Sequence, residues 1–255
     1  MLEPISNKNS ISRVTASIYT PQKVLNTKLL FDKIKSNTYF SIYQRKGLIH
    51  QKNINILDDK GLSITENQNV GFILEEFDDG NSINVLKLEN TDTDKTIISF
   101  ENKDYDNWKS FKERFLSDIN KLSSELDLYV EAIVLNYIDE FLWKSDAKIE
   151  IESIFNSDSD LVNQKFLKSY NASLRSVSQS SRVEEKNFEE ENTEIFFNND
   201  IKRITISHSF AIKLNKFYLF TDTDSENYLD KAHNSNKEVL KSLLTENVQK
   251  QIGLI

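Results

Sequence analysis

Two copies of one tetrapeptide hold the densest oxygen chemistry in the chain: Thr91-Asp92-Thr93-Asp94 and Thr221-Asp222-Thr223-Asp224. Acids two residues apart, flanked by hydroxyls, are raw material for a divalent-cation loop. A calcium loop also needs further oxygen ligands at set spacing and a glycine for its sharp turn, and neither copy has them. The same side chains cap helices and bond their own main chain in turns. The first copy separates two strand-like stretches and reads as a hairpin loop. The second ends a strand and opens a helix. Turn and cap chemistry is therefore the expectation, with no metal, no cofactor and no catalytic residue assigned. A hydrolase built from Asp92, Asp94, Asp222 and Asp224 would require the two distant loops to converge.

Three histidines are present, His50, His208 and His233. His208 alternates in register with Ile204, Ile206, Phe210 and Ile212, so it points inward and must find a partner. Ser207 and Ser209 point to the opposite face, which leaves no local Ser-His pair. His233 lies at the edge of the stripe Leu229, Ala232, Leu240, Leu243 and is expected to close the core boundary with a hydrogen bond. His50 is expected to be exposed. Asn136, in the long run Asp127–Trp143, reads as a buried polar group bonded to a neighbouring loop. Asn136, His208 and His233 are the candidate pocket or interaction residues. Glu184, Glu185, Glu189, Glu190 and Glu191 read as a solvated loop.

Other chemistries lack their residues. Zero cysteines exclude a disulfide scaffold, a thiolate zinc site and a cysteine nucleophile. With 5 Gly and 2 Pro, phosphate-cradling loops have almost no material, and no Walker, dinucleotide-binding, nucleophile-elbow or zincin motif occurs. The net charge of -8 disfavours a broad phosphate-binding face and suits a basic partner. No apolar run approaches the ~18 residues of a membrane span. The N-terminus lacks the pattern of a secretory signal, so the expected location is cytoplasmic.

These groups must be positioned by a mixed set of elements. Ile11–Thr20 alternates as a strand, and Thr20-Pro21 opens a helix carrying Val24, Leu25, Leu29, Leu30 and Ile34. Short β-rich pieces follow, "TYFSIYQ" among them, with Asp78-Asp79-Gly80 as a hairpin turn. Trp108, Phe111, Phe115, Ile119 and Leu122 form the stripe of a long helix capped by Asp106. The run after it is apolar on both faces and reads as a central strand. Ser178–Glu194 reads as a linker or mobile loop. Strands near Ile201–Leu214 and Lys216–Asp224 lead into a helix over Ser225–Leu244, and Gly253 closes a final short one. Together these give an α+β fold: an antiparallel sheet with long amphipathic helices packed on one face, and two similar halves, 1-145 and 146-255, sharing one sheet.

Tyr105, Trp108 and Phe111 in "YDNWKSFKERF", Asn136 in the strand, Leu229 and His233 in "LDKAHNSNKEVL", and Thr245-Glu246 together resemble a sporadically distributed family of uncharacterised bacterial proteins. The likeness runs from Gly71 onward and more weakly before it. It implies a fold and a bacterial source and carries no catalytic residues. With an acidic chain lacking catalytic motifs, the expected function is a non-enzymatic protein-binding component of a bacterial conflict system, such as an immunity protein, antitoxin or antiviral-defence subunit. The alternative is a small-ligand module with a pocket between sheet and helices, contacted by His208 and Asn136. Neither membrane nor nucleic acid is expected as a partner.

Overall fold

The computed structural model describes residues 2–5, 9–57, 61–144, 150–162, 173–198 and 200–255. Alternating apolar and polar residues build ten strands: β1 (Leu2–Pro4), β2 (Ile11–Tyr19), β3 (Arg45–Leu57), β4 (Gly61–Asp78), β5 (Asn81–Asn90), β6 (Thr96–Asn102), β7 (Tyr129–Trp143), β8 (Ser173–Glu184), β9 (Asn187–Asn198) and β10 (Arg203–Leu219). They join in one antiparallel sheet in the order β3-β4-β5-β6-β2-β7-β10-β9-β8, with β1 paired to the far end of β7. The helices are α1 (Thr27–Ser36), α2 (Trp108–Ser123), α3 (Ile151–Ile154), α4 (Ser225–Leu243) and α5 (Glu246–Gln251). The protein is thus mixed α and β, built on one large antiparallel sheet.

The apolar run expected to be central is central: β7 lies between β2 and β10. An order of strand, helix, antiparallel strands and long helix runs from β2 to α2 and again from β7 to α4, and the two opening strands pair mid-sheet. Along β7, Ile133, Leu135, Tyr137, Asp139 and Phe141 are buried while Ala132, Val134, Asn136, Ile138 and Glu140 are half-exposed. Val14, Ala16 and Ile18 of β2 share a core cluster with Phe111, Phe115, Ile119 and Leu122 of α2 and Leu229 and Ala232 of α4. A second cluster joins Phe141, Ile195, Phe197, Ile204 and Ile206 to Leu240 and Leu243 of α4. Each fully buried side chain of this size stabilises by about 1.5–3 kcal/mol. Backbones also approach closely: a Cβ on Gly71 would sit 2.0 Å from the Leu88 carbonyl oxygen.

Several local expectations are corrected. The first helix starts at Thr27, not near Pro21, because Asn26 caps it by accepting the Leu29 amide at 3.0 Å. Thr20 instead ties the strand end down, donating to the Gln22 carbonyl at 2.6 Å. "TYFSIYQ" forms a 3-10 turn over Thr38–Ile42, whose first turn Asn37 caps. Asn107, not Asp106, caps α2, through the Ser110 amide at 3.0 Å. Ser178–Glu194 is a hairpin of β8 and β9, not a loop. Its polar residues answer one another across the strands, Arg175 with Glu194 and Arg182 with Glu189, both at 2.9 Å. The turn is made by Glu185 and Lys186, both at positive φ. Residues 147–149 and 166–172, expected to begin a short helix and a strand, lie outside the described residues.

Candidate functional site

The two sides of the β7–β10 pair differ in chemistry. Its register sets His208 opposite Tyr137 and Ser209 opposite Asn136. Neighbours along a strand face opposite ways, so His208 and Asn136 lie on different faces of the sheet. Asn136 is half-exposed, which corrects its reading as a buried group, and the two cannot line one pocket.

On the buried side a polar seam separates the two apolar clusters. His208 is 1% exposed, and its Nε2 lies 3.1 Å from Glu191 Oε1 on β9. That hydrogen bond holds the Glu191 carboxyl below its usual range. Ser235 of α4 donates to the same carboxylate oxygen. His233, also buried, stacks on Trp108 with ring centroids 4.3 Å apart and its Nδ1 2.8 Å from Tyr137 Oη. The expected boundary hydrogen bond of His233 is therefore made to the central strand. Burial pushes His233 down to about 4, so the ring is neutral at pH 7 and Nδ1 can accept. Trp108 Nε1 donates to Asp230 at 2.7 Å, and Lys112 reaches both Asp230 and Glu226.

Asp139 is the most perturbed acid of the seam: burial raises it to about 6, against a 2.6 Å hydrogen bond from Ser10. Asp139 Oδ2, His208 Nδ1 and Asn236 Oδ1 are buried without a hydrogen-bond partner among the described residues. Sequence reasoning counted Glu191 among solvated acids and gave no role to Asp139 or Asn236. The available signal was a polar residue at an inward position of an apolar alternation, the rule that had picked out His208. Within the seam, Ser235 and Glu191 tie α4 to β9, and through Glu191 to His208 of β10.

On the other side of the same strands the floor is shallow. Val134 faces Ser17 on β2 and Ala211 on β10, all small or short. A groove of about 770 Å³ opens there, lined by Tyr19, Ala132, Val134, Ser209, Ala211, Phe188 and the lysines 186 and 213. Smaller cavities of about 200 and 280 Å³ lie beside Arg114 and beside Leu25. His208, Asn136 and His233 line none of these three.

The repeated tetrapeptides go their own ways. Thr91–Asp94 is the β5–β6 loop, with the Thr91 amide donating to Lys95 at 2.7 Å and Asp94 held by Lys23 at 2.9 Å. Thr221–Asp224 enters α4. Asp224 stands at the cap position without a side-chain bond to the helix amides, and instead accepts from Asn227 Nδ2 at 2.6 Å. Among the described residues no cluster of three or more acids and histidines could hold a metal. The acidic run is corrected too: Glu189 is 3% exposed and bonded by Arg182 and Lys231. His50 is exposed, as expected, though it lies within β3. No helix among the described residues is long and apolar enough to cross a membrane.

Among protein-family models, curated proteins and solved structures, none matches this chain.

Proposed function

We propose that the chain is a non-enzymatic, cytoplasmic binding protein in which the long helices cover one face of the sheet and a protein partner seats on the other. The observation that carries this reading is the groove of about 770 Å³ floored by Ala132, Val134, Ser209 and Ala211. Small side chains mid-sheet let a partner approach the strands, while Phe188 and Tyr19 offer aromatic anchors of the kind that dominate interface energetics. The net charge of -8 favours a basic partner through long-range attraction. A place as an immunity protein, antitoxin or antiviral-defence subunit fits such a module and rests on the sequence resemblance alone.

The test is quantitative co-purification from a native host with wild-type chain and Ala211→Arg, which fills the groove from a half-exposed position. A protein retained in fixed stoichiometry by wild type and lost by Ala211→Arg supports the reading. Equal retention by both, or no retained protein at all, overturns it. The second reading, a small-molecule module, draws on the same groove, whose volume is in the ~300–1,000 Å³ range of ligand pockets. Native mass spectrometry of purified chain would then show a non-covalent adduct that Ala211→Arg lacks.

A further inference from the structure

The two edges of the sheet are built differently. β3, at one edge, carries irregularities on both sides of His50 and a lysine at 46, devices that discourage strand addition. β8, at the other, pairs with β9 through an unbroken register from Ser173 to Glu184 and contains no lysine, proline or glycine. Among the described residues its outer edge has no neighbouring strand. Val177 is 56% exposed and Val183 is 74% exposed.

We infer that β8 adds to β8 of a second copy of this chain, antiparallel and centred on Ser180, joining two sheets edge to edge. The occupant follows from self-complementarity. A two-fold axis through Ser180 sets Val177 opposite Val183 of the other copy, twice, covering both exposed valines. The same register sets Gln179 opposite Ser181 of the other copy, twice. Val177, Gln179, Ser181 and Val183 share one face, because their β9 partners Glu194, Asn192, Glu190 and Phe188 alternate in step. Moving the axis one residue to Gln179 sets Val177 against Ser181 and Val183 against Arg175, and the apolar match disappears. Directly opposed side chains in an antiparallel pair stand about 5 Å apart, close enough for both contacts. The inference concerns an edge and is independent of what seats on the groove.

Sedimentation of the full chain over a concentration series tests it. Wild type is expected to dimerise. Val177→Lys is expected to weaken the dimer about tenfold or more, and Val183→Lys to weaken it comparably. Combining Val177→Lys with Val183→Glu sets opposite charges against each other twice in the Ser180 register and is expected to recover the dimer. All positions are solvent-facing, so circular dichroism of each variant should match wild type. A chain that stays monomeric, or a dimer indifferent to Val177→Lys, overturns the proposal. A dimer that Val177→Lys weakens but the added Val183→Glu does not recover overturns the Ser180 register.

Discussion

Burial shifts Asp139 of β7 and His233 of α4 in opposite directions. Asp139 is raised by burial to about 6, so its contribution is fully present below the ordinary carboxylate value of ~3.9 and is lost as pH rises through about 6. His233 is depressed to about 4, first by burial, then by Lys237 and Lys112, with Asp230 opposing. Its contribution is fully present above the ordinary ~6.5 and is lost as pH falls through about 4. Between about pH 4 and 6 the two slopes have opposite sign, and wild-type stability is expected to stay nearly level. Asp139→Asn leaves His233 alone, so stability should fall on acidification by up to about 3 kcal/mol. His233→Gln leaves Asp139 alone and should give a profile that falls as pH rises over the same interval. Urea unfolding at four or five pH values separates these outcomes through the shape of each profile. Three parallel curves would refute the opposed titration.

The β8–β9 hairpin shows what an element can hide. A two-residue turn of this kind favours Asn-Gly, because both positions need positive φ. Here Glu185 at 49° and Lys186 at 76° fill it, each strained relative to a residue suited to that region. Glu185→Asn with Lys186→Gly is expected to stabilise by about 1 kcal/mol, seen as a rise of about 2–4 °C in the melting midpoint. An unchanged or lower midpoint would show that the turn is not strained. The missing turn residues also explain why the segment looked like a loop, since its pairing energy comes from Arg–Glu matches visible only across strands. By contrast β2, α2, β7 and α4 were legible, because their apolar periodicity is internal to each element. Cap residues were misplaced by one to several positions: Asn26 and Asn107 do the work assigned to Thr20 and Asp106. At the site the inward pointing of His208 was legible. Its partner Glu191 was not, because it comes from another strand and was counted among solvated acids. Asn136 was misassigned because a strand apolar on both faces does not reveal which face is buried.

At the scale of the whole molecule, the polar seam raises the question of whether the two apolar clusters unfold together. Glu191, His208, Asp139 and Asn236 interrupt the apolar contacts between them, and a band of buried polar groups can decouple neighbouring regions. Three elements argue for coupling. α4 places Leu229 and Ala232 in one cluster and Leu240 and Leu243 in the other. β7 does the same with Leu135 and Phe141, and β10 with Phe210 and Ile206. No cut in these elements frees one cluster without breaking a continuous helix or strand. The two tryptophans report separately, since Trp108 packs against the first cluster and Trp143 against the second. In Trp108→Phe and Trp143→Phe variants, the single remaining fluorophore follows one cluster through a denaturant titration, with far-ultraviolet dichroism as the common reference. Within each variant the fluorescence and dichroism transitions are expected to coincide, the signature of one cooperative unit. The sheet would then act as one body, because every strand order that reaches the seam also crosses it. A fluorescence midpoint displaced from the dichroism midpoint in either variant would instead make the seam a boundary between two folding units.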